Sequence, residues 1–262
     1  MKIVRTYNFF KTLGLTNKQK ALRHMQIFNI FLQKTALFLL LILTFSCSKN
    51  WNYDGYFGPQ NWGNSEENKF CKIGYNQSPI DVTGEFKDQE LKFSYKNSDV
   101  ERKPTKHNLQ IEFDSKDFIL RGAKKYFIRH IEFHHPSEHL TGGAPHSLEL
   151  QIYHKSEDEQ WLVLAIFLEV GKENSGFNQL TKFLLDEKVE RKLDLSKIVK
   201  TDDKLFFYDG SFTTPPCREG VKWYVAKTPL LISKEQMNQI IKSAIFAKAN
   251  ARPVQAFHPE KY

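Results

Sequence analysis

Between Phe127 and His154 the chain alternates in polarity along two runs with a turn between them, FIRHIEFHHPSEHLTGGAPHSLELQIYH, and this feature constrains the fold most. A period of two requires extended strands, because successive side chains of a strand point to opposite faces of a sheet. In the first run His130, Glu132 and His134 stand at i, i+2 and i+4 and share a face. In the second, Glu149, Gln151 and Tyr153 share one face while Leu150 and Ile152 take the other. Paired, the two strands would gather imidazole, carboxylate and carboxamide groups at one point, which suits a metal site, an acid–base site or the remains of one. Alternation recurs in Leu109–Phe113, Phe118–Leu120, Tyr126–Phe133, Trp161–Val170 and Val221–Ala226, with turn residues between, and predicts a large, mostly antiparallel sheet. Phe177–Leu184 and Lys234–Ala247 have helical spacing, and Ser233 is placed to cap the second. Periodicity alone yields a β-rich α+β chain and leaves its topology open.

The N-terminal segment is of another character. Residues 1–47 hold seven Lys or Arg and no acid, which leaves 31 basic against 30 acidic residues in 48–262. The net charge of +8 thus belongs to the leader, and no nucleic-acid partner follows from it. The apolar run Ala36–Phe45 is too short for a permanent membrane span and right for the apolar core of a signal sequence. Small residues just before Cys47 resemble a bacterial lipoprotein cleavage site, with Cys47 as the lipid-bearing first residue; the alternative is an ordinary signal peptide with an incidental cysteine. Translation starts at Met1 or at Met25. The expectation is an exported, membrane-anchored protein facing the periplasm or the cell exterior, with residues 48–262 as a single domain long enough for an ample core.

Five segments, the strand pair above among them, stand in order along 48–262: Trp51-Asn-Tyr53-Asp-Gly55 with Gly58-Pro59 and Trp62; Asn76-Gln77-Ser78-Pro79-Ile80-Asp81; HHPSEH (134–139) with LELQIYH (148–154); Ser211-Phe212-Thr213-Thr214-Pro215-Pro216-Cys217 with Glu219-Gly220-Val221 and Trp223; and Asn250-Ala251-Arg252-Pro253-Val254-Gln255. In that order and at that spacing they resemble the α-class carbonic anhydrases over nearly the whole mature chain. The resemblance implies a central, twisted, ten-stranded sheet with peripheral helices. It implies reversible hydration of CO2 by a zinc ion on three histidines, where the metal makes its bound water acidic, a known property of that family. The three ligand positions fall on Glu132, His134 and Gln151. The hydroxide-orienting pair falls on Thr213 and Glu138, and the proton-shuttle position on His107. Glu149, Gln110, His130 and Thr214 fall around the ligands, and Tyr153, Val163, Phe212 and Trp223 on the CO2 pocket. A Cys71–Cys217 bridge suits an oxidising compartment once Cys47 is lipidated, and exported members of that family often bridge these places; the alternative is two free thiols.

Two of the three zinc histidines are therefore replaced. A carboxylate at 132 lowers the Lewis acidity of any metal there, and a neutral amide at 151 is a weak zinc ligand beside imidazole. Glu149, which in that family orients a histidine, has a hydrogen-bond donor in the Gln151 amide instead. Tyr153 and Phe212 place two large rings where CO2 would sit. His130, Glu132 and His134 are a poor replacement metal set, because their end Cα atoms fan over roughly 13 Å; the alternative, a set of His130, Glu132 or His134 with Gln151 across the strands, is weaker than a buried hydrogen-bond network. The expected cofactor is none, or weakly bound zinc. The reading is a non-catalytic binding or surface protein, similar to the carbonic anhydrase-related proteins, with an unknown surface or small-molecule ligand. The alternative is a low-activity carbonic anhydrase with a Glu/His/Gln site, and a third idea is a surface adhesin for acidic sugars. His139 and His154 are expected in the core, while His24, His146 and His258, and the Lys/Glu-rich stretch 186–204, are expected at solvated surface.

Overall fold

The computed structural model describes residues 51–88, 91–105, 107–185, 191–200, 204–243 and 249–258. The 1–47 leader, with Met25, His24 and Cys47, lies outside them. The strands are β1 (Asp81–Val82), β2 (Leu91–Ser94), β3 (Asn97–Pro104), β4 (Leu109–Asp114), β5 (Phe118–Arg121), β6 (Lys124–His134), β7 (Leu140–Thr141), β8 (Ala144–Pro145), β9 (Leu148–Lys155), β10 (Trp161–Val170), β11 (Lys192–Asp194), β12 (Leu205–Ser211), β13 (Glu219–Ala226) and β14 (Leu230–Ile232). The α-helices among the described residues are α1 (Phe70–Ile73), α2 (Asn178–Leu185) and α3 (Lys234–Ser243).

The main sheet runs β11-β3-β4-β6-β9-β10-β13-β12, with β5 also on β6, β2 on β5 and β14 on β10; among the described residues it has eleven strands rather than ten. The additional short pairings arise where β2 and β5 extend the sheet beside the outer end of β6. Pairing is mostly antiparallel, the exceptions in this sheet being β10 with β13 and with β14. β1, β7 and β8 form a separate small sheet, whose hairpin turns at Gly142-Gly143, both with positive φ as glycine allows.

At the centre, β9 is buried on both faces. Its Leu148, Leu150 and Ile152 join Ile131, Phe133, Leu164 and Ile166 in the larger core, which α2 closes with Leu180, Phe183 and Leu184 and α3 with Met237 and Ile240. These side chains are fully or nearly fully shielded, and such burial is the main favourable term of folding. The opposite face of β9 is polar at one end and aromatic at the other. Two surface expectations fail here. His146 is three-quarters or more buried: it stacks on Phe167 at 4.0 Å and pairs with Glu169 at 2.9 Å. Within 186–204, the described part buries Leu193, Leu195, Ile198 and Val199, because β11 and the turn after it return apolar residues to the core. His258 stacks on Tyr75 at 4.0 Å.

Candidate functional site

β6 and β9 pair antiparallel with a register that sets His130 opposite Tyr153, Glu132 opposite Gln151 and His134 opposite Glu149. An irregularity between Ile128 and His130 sets Ile128 opposite His154 and into the larger core, although its parity matches that of His130. The same row continues across the sheet, since Tyr153 faces Val163 on β10, Val163 faces Trp223 on β13, and Trp223 faces Tyr208 on β12.

Gln151 is wholly buried and its amide is fully used. Its Oε1 accepts from the Tyr153 hydroxyl at 2.6 Å, and its Nε2 donates to Glu138 and to Glu149, each at 2.9 Å. Glu149 also accepts from the backbone N–H of Glu138 and of His139 and lies 2.8 Å from His139 Nδ1. His139 Nε2 then meets the Tyr208 hydroxyl at 2.7 Å. Burial pushes the Glu149 carboxyl up, but the charge and hydrogen bonds of His139 outweigh it and hold the group at about 2.

Glu132 is as heavily engaged. Its Oε2 accepts from Asn108 Nδ2 at 3.0 Å, and its Oε1 accepts from Gln110 Nε2 and lies 3.1 Å from His130 Nε2. Burial raises this carboxyl too, yet His130, His134 and Gln110 together hold it at about 2. His134 is fully buried; its Nδ1 donates to the Asn250 carbonyl at 2.8 Å. Its Nε2 has no hydrogen-bond partner and stands 3.8 Å from Glu132. Burial favours the neutral ring, but Glu138 and Glu132 prevail and raise the His134 pKa. Glu138 accepts from the Arg252 backbone N–H at 3.0 Å and from the Thr213 hydroxyl; burial, reinforced by Glu149, raises its pKa.

The aromatic side of the site is filled by rings. Tyr153 stacks on His130 with centroids 4.4 Å apart, and Phe212 lies parallel to Tyr153 at 6.4 Å. Val163 and Trp223 are completely buried beside them. His107 stacks on Trp51 at 3.8 Å, and Thr214 lies in the turn where its carbonyl accepts from Cys217 N–H. Cys71 and Cys217 form a disulfide.

The family zinc positions do not fit a zinc ion. Glu132 already has four nitrogen neighbours, and the Gln151 oxygen is turned to Tyr153 by two carboxylates that hold its amide N–H groups. His134 offers one nitrogen, Nε2, and the carboxylates of Glu138 and Glu132 raise its pKa, so a proton competes there with a metal. Among the described residues no group of three or more His, Cys, Asp or Glu is arranged to hold a metal ion.

Five participants escaped the sequence reading of the site, one of them Tyr208 on β12, which meets His139. Asn108 shares parity with Gln110 on β4, so alternation could have found it. Tyr53, whose pKa is raised well above its ordinary value by burial and by Glu138 and Glu132, arrives from the N-terminal segment. Asn250 and Arg252 arrive from the C-terminal segment, and nothing local in the sequence marks their targets.

The sequence profile of the eukaryotic-type carbonic anhydrase family matches residues 57–260. A carbonic anhydrase of Neisseria gonorrhoeae is 32% identical over 234 residues, 84% of this chain and 92% of that protein. Dioscorin DB3L of Dioscorea polystachya is 33% identical over 247 residues, covering 84% of this chain and 90% of its own. The α-carbonic anhydrase of Thermovibrio ammonificans, solved with the inhibitor sulfanilamide, superposes with a TM-score of 0.71 at 31% identity, over 80% of this chain and 96% of that one.

Proposed function

The chain belongs to the eukaryotic-type carbonic anhydrase family, which normally binds zinc, and from that premise we propose that this member does not hydrate CO2 through zinc but serves as an exported binding or surface protein on the family's fold. The observation that carries this reading is the Gln151 amide, whose oxygen and both N–H groups are satisfied by Tyr153, Glu138 and Glu149. A metal would have to break that set to recruit its third ligand. Tyr153 and Phe212 lean the same way: they fall where the resemblance puts the CO2 pocket, and their rings lie parallel 6.4 Å apart. The likeness to dioscorin DB3L is to a relative that does not carry the carbonic anhydrase name. Export and anchoring through a lipid on Cys47 complete the proposal and rest on the leader's composition.

A second reading, a carbonic anhydrase with an atypical Glu132/His134/Gln151 site and low activity, is favoured by one observation: Thr213 still donates to Glu138, an arrangement a bare scaffold does not require. Metal analysis separates the two. The protein, purified without chelator and dialysed first against zinc and then against zinc-free neutral buffer, is expected to keep well under one zinc per chain and to leave CO2 hydration at the background rate. About one retained zinc with hydration above background would overturn the proposal.

A further inference from the structure

The short helical turns that open the folded unit leave apolar side chains in water. Tyr56 is 81% exposed, Phe57 48%, Phe70 43% and Ile73 67%. Exposed hydrophobic residues scattered singly need no explanation, but four of the nine large ones among the described residues fall between positions 56 and 73. The backbone under them is firmly built. Asn52 N–H and the Trp62 indole both donate to the Phe57 carbonyl, Asn61 donates to the Tyr56 carbonyl and Gln60 to the Gly55 carbonyl. Residues 59–64 pack so closely on α1 that a Cβ added to Gly63 would stand 2.8 Å from Lys72 N. Cys71, inside α1, is tied to Cys217. The four side chains therefore stand exposed on a firmly built segment.

Chain length says what that surface meets. Trp51 follows Cys47 by four residues, which span at most about 14 Å. A domain of this length has a radius of gyration of about 17 Å, so so short a tether cannot present its far side to the lipid. We propose that the segment Tyr56–Ile73 lies on the bilayer to which Cys47 is anchored, with Tyr56, Phe57, Phe70 and Ile73 at the interface. This rests on the anchored reading of the leader. Aromatic and aliphatic residues suit that boundary, where one end of a side chain is apolar and the other wet. Glu66 and Glu67 offset Lys69 and Lys72 on the same turns, so the contact is apolar and needs no anionic lipid.

The test uses the full chain with its own leader, with the mass of the mature N-terminus read first. The protein is placed in zwitterionic phosphatidylcholine vesicles whose acyl chains carry bromine, a contact quencher of tryptophan. Ile73→Trp adds a probe on the proposed face, and Leu231→Trp adds one on β14, where Leu231 is 51% exposed; the wild-type signal is subtracted from each. The expected result is about a twofold loss of emission at position 73, unchanged in high salt, with none at position 231. Equal quenching at both positions, or none at 73 in protein that carries the lipid, would overturn the proposed face. A mature chain without lipid would remove the anchor reading; quenching at 73 alone would then still support the face, and its absence would remove both.

Discussion

At the scale of the residue, Gln151 decides what the site is. Its amide falls at the position that the resemblance gives to a zinc-binding imidazole, and it is bonded on every side. Gln151→Leu should strand the Tyr153 hydroxyl and leave two buried carboxylates each short of a donor, costing about 2–4 kcal/mol, read as a lower urea midpoint. Reversal tests the same reading from the other direction. In Glu132→His/Gln151→His, Glu149 and the Asn250 carbonyl remain to orient imidazoles, so about one zinc per chain should be retained. CO2 hydration should stay low until Tyr153→Val removes the ring stacked between His130 and Phe212. Stopped-flow hydration assays on the double and triple variants check this; high activity in the double variant would show that Tyr153 is no obstacle.

At the scale of the element, β9 carries two buried polar systems, one toward the site and one at its far end. There the Tyr95 hydroxyl meets His154 Nε2 at 2.9 Å, and burial holds the His154 pKa down at about 3, against 6.5 for a free side chain. Below pH 6.5 the unfolded chain takes up a proton that the folded chain refuses, so this contribution is complete above 6.5 and is lost on acidification. The loss is at most about 1.4 kcal/mol per pH unit. His134, with its raised pKa, adds stability that is fully present below 6.5 and so does not add to the fall; Glu138, whose pKa is raised, works against it, and Glu132 and Glu149 begin to matter only below about 4.5. Urea midpoints should therefore fall between pH 6.5 and 5, and His154→Gln should flatten that fall. Elements were legible to different degrees. All six alternating runs became strands, Trp161–Val170 with the expected bounds, because one face of each meets a core. Ser233 caps α3 reciprocally with Gln236, as placed, although Phe177 belongs to the turn before α2. β3, reading NSDVERKP, and β12, reading LFFYDGS, went unseen: the first is largely exposed and polar, the second mostly buried, and neither alternates cleanly. The shared face of each strand was legible from parity, whereas the register between them was not, nor were Asn250 and Tyr53, because contacts across more than 75 residues leave no periodic trace.

At the scale of the whole molecule, three distant segments are clamped together beside the site. The Cys71–Cys217 bridge joins α1 to the Thr213 turn across 146 residues. Arg252 donates to the carbonyls of Cys71 and Ser78 and to Gln77, while its backbone N–H holds Glu138. A loop of that length makes the bridge worth about 5 kcal/mol on chain-entropy grounds. Cys71→Ser/Cys217→Ser should lower unfolding stability by up to that amount, and a reducing agent should do the same to the wild type and nothing to the variant.

Arg252 follows every described strand in chain order, and that position has a consequence in time. A chain emerging from the ribosome has every strand of the sheet in hand before it has the guanidinium that closes on Gln77 and Ser78, or the Asn250 carbonyl that orients His134. Closure of the site is thus postponed until residues 250–252 have been made, after the last described strand has emerged. A message truncated before codon 250 should yield a product that proteases remove.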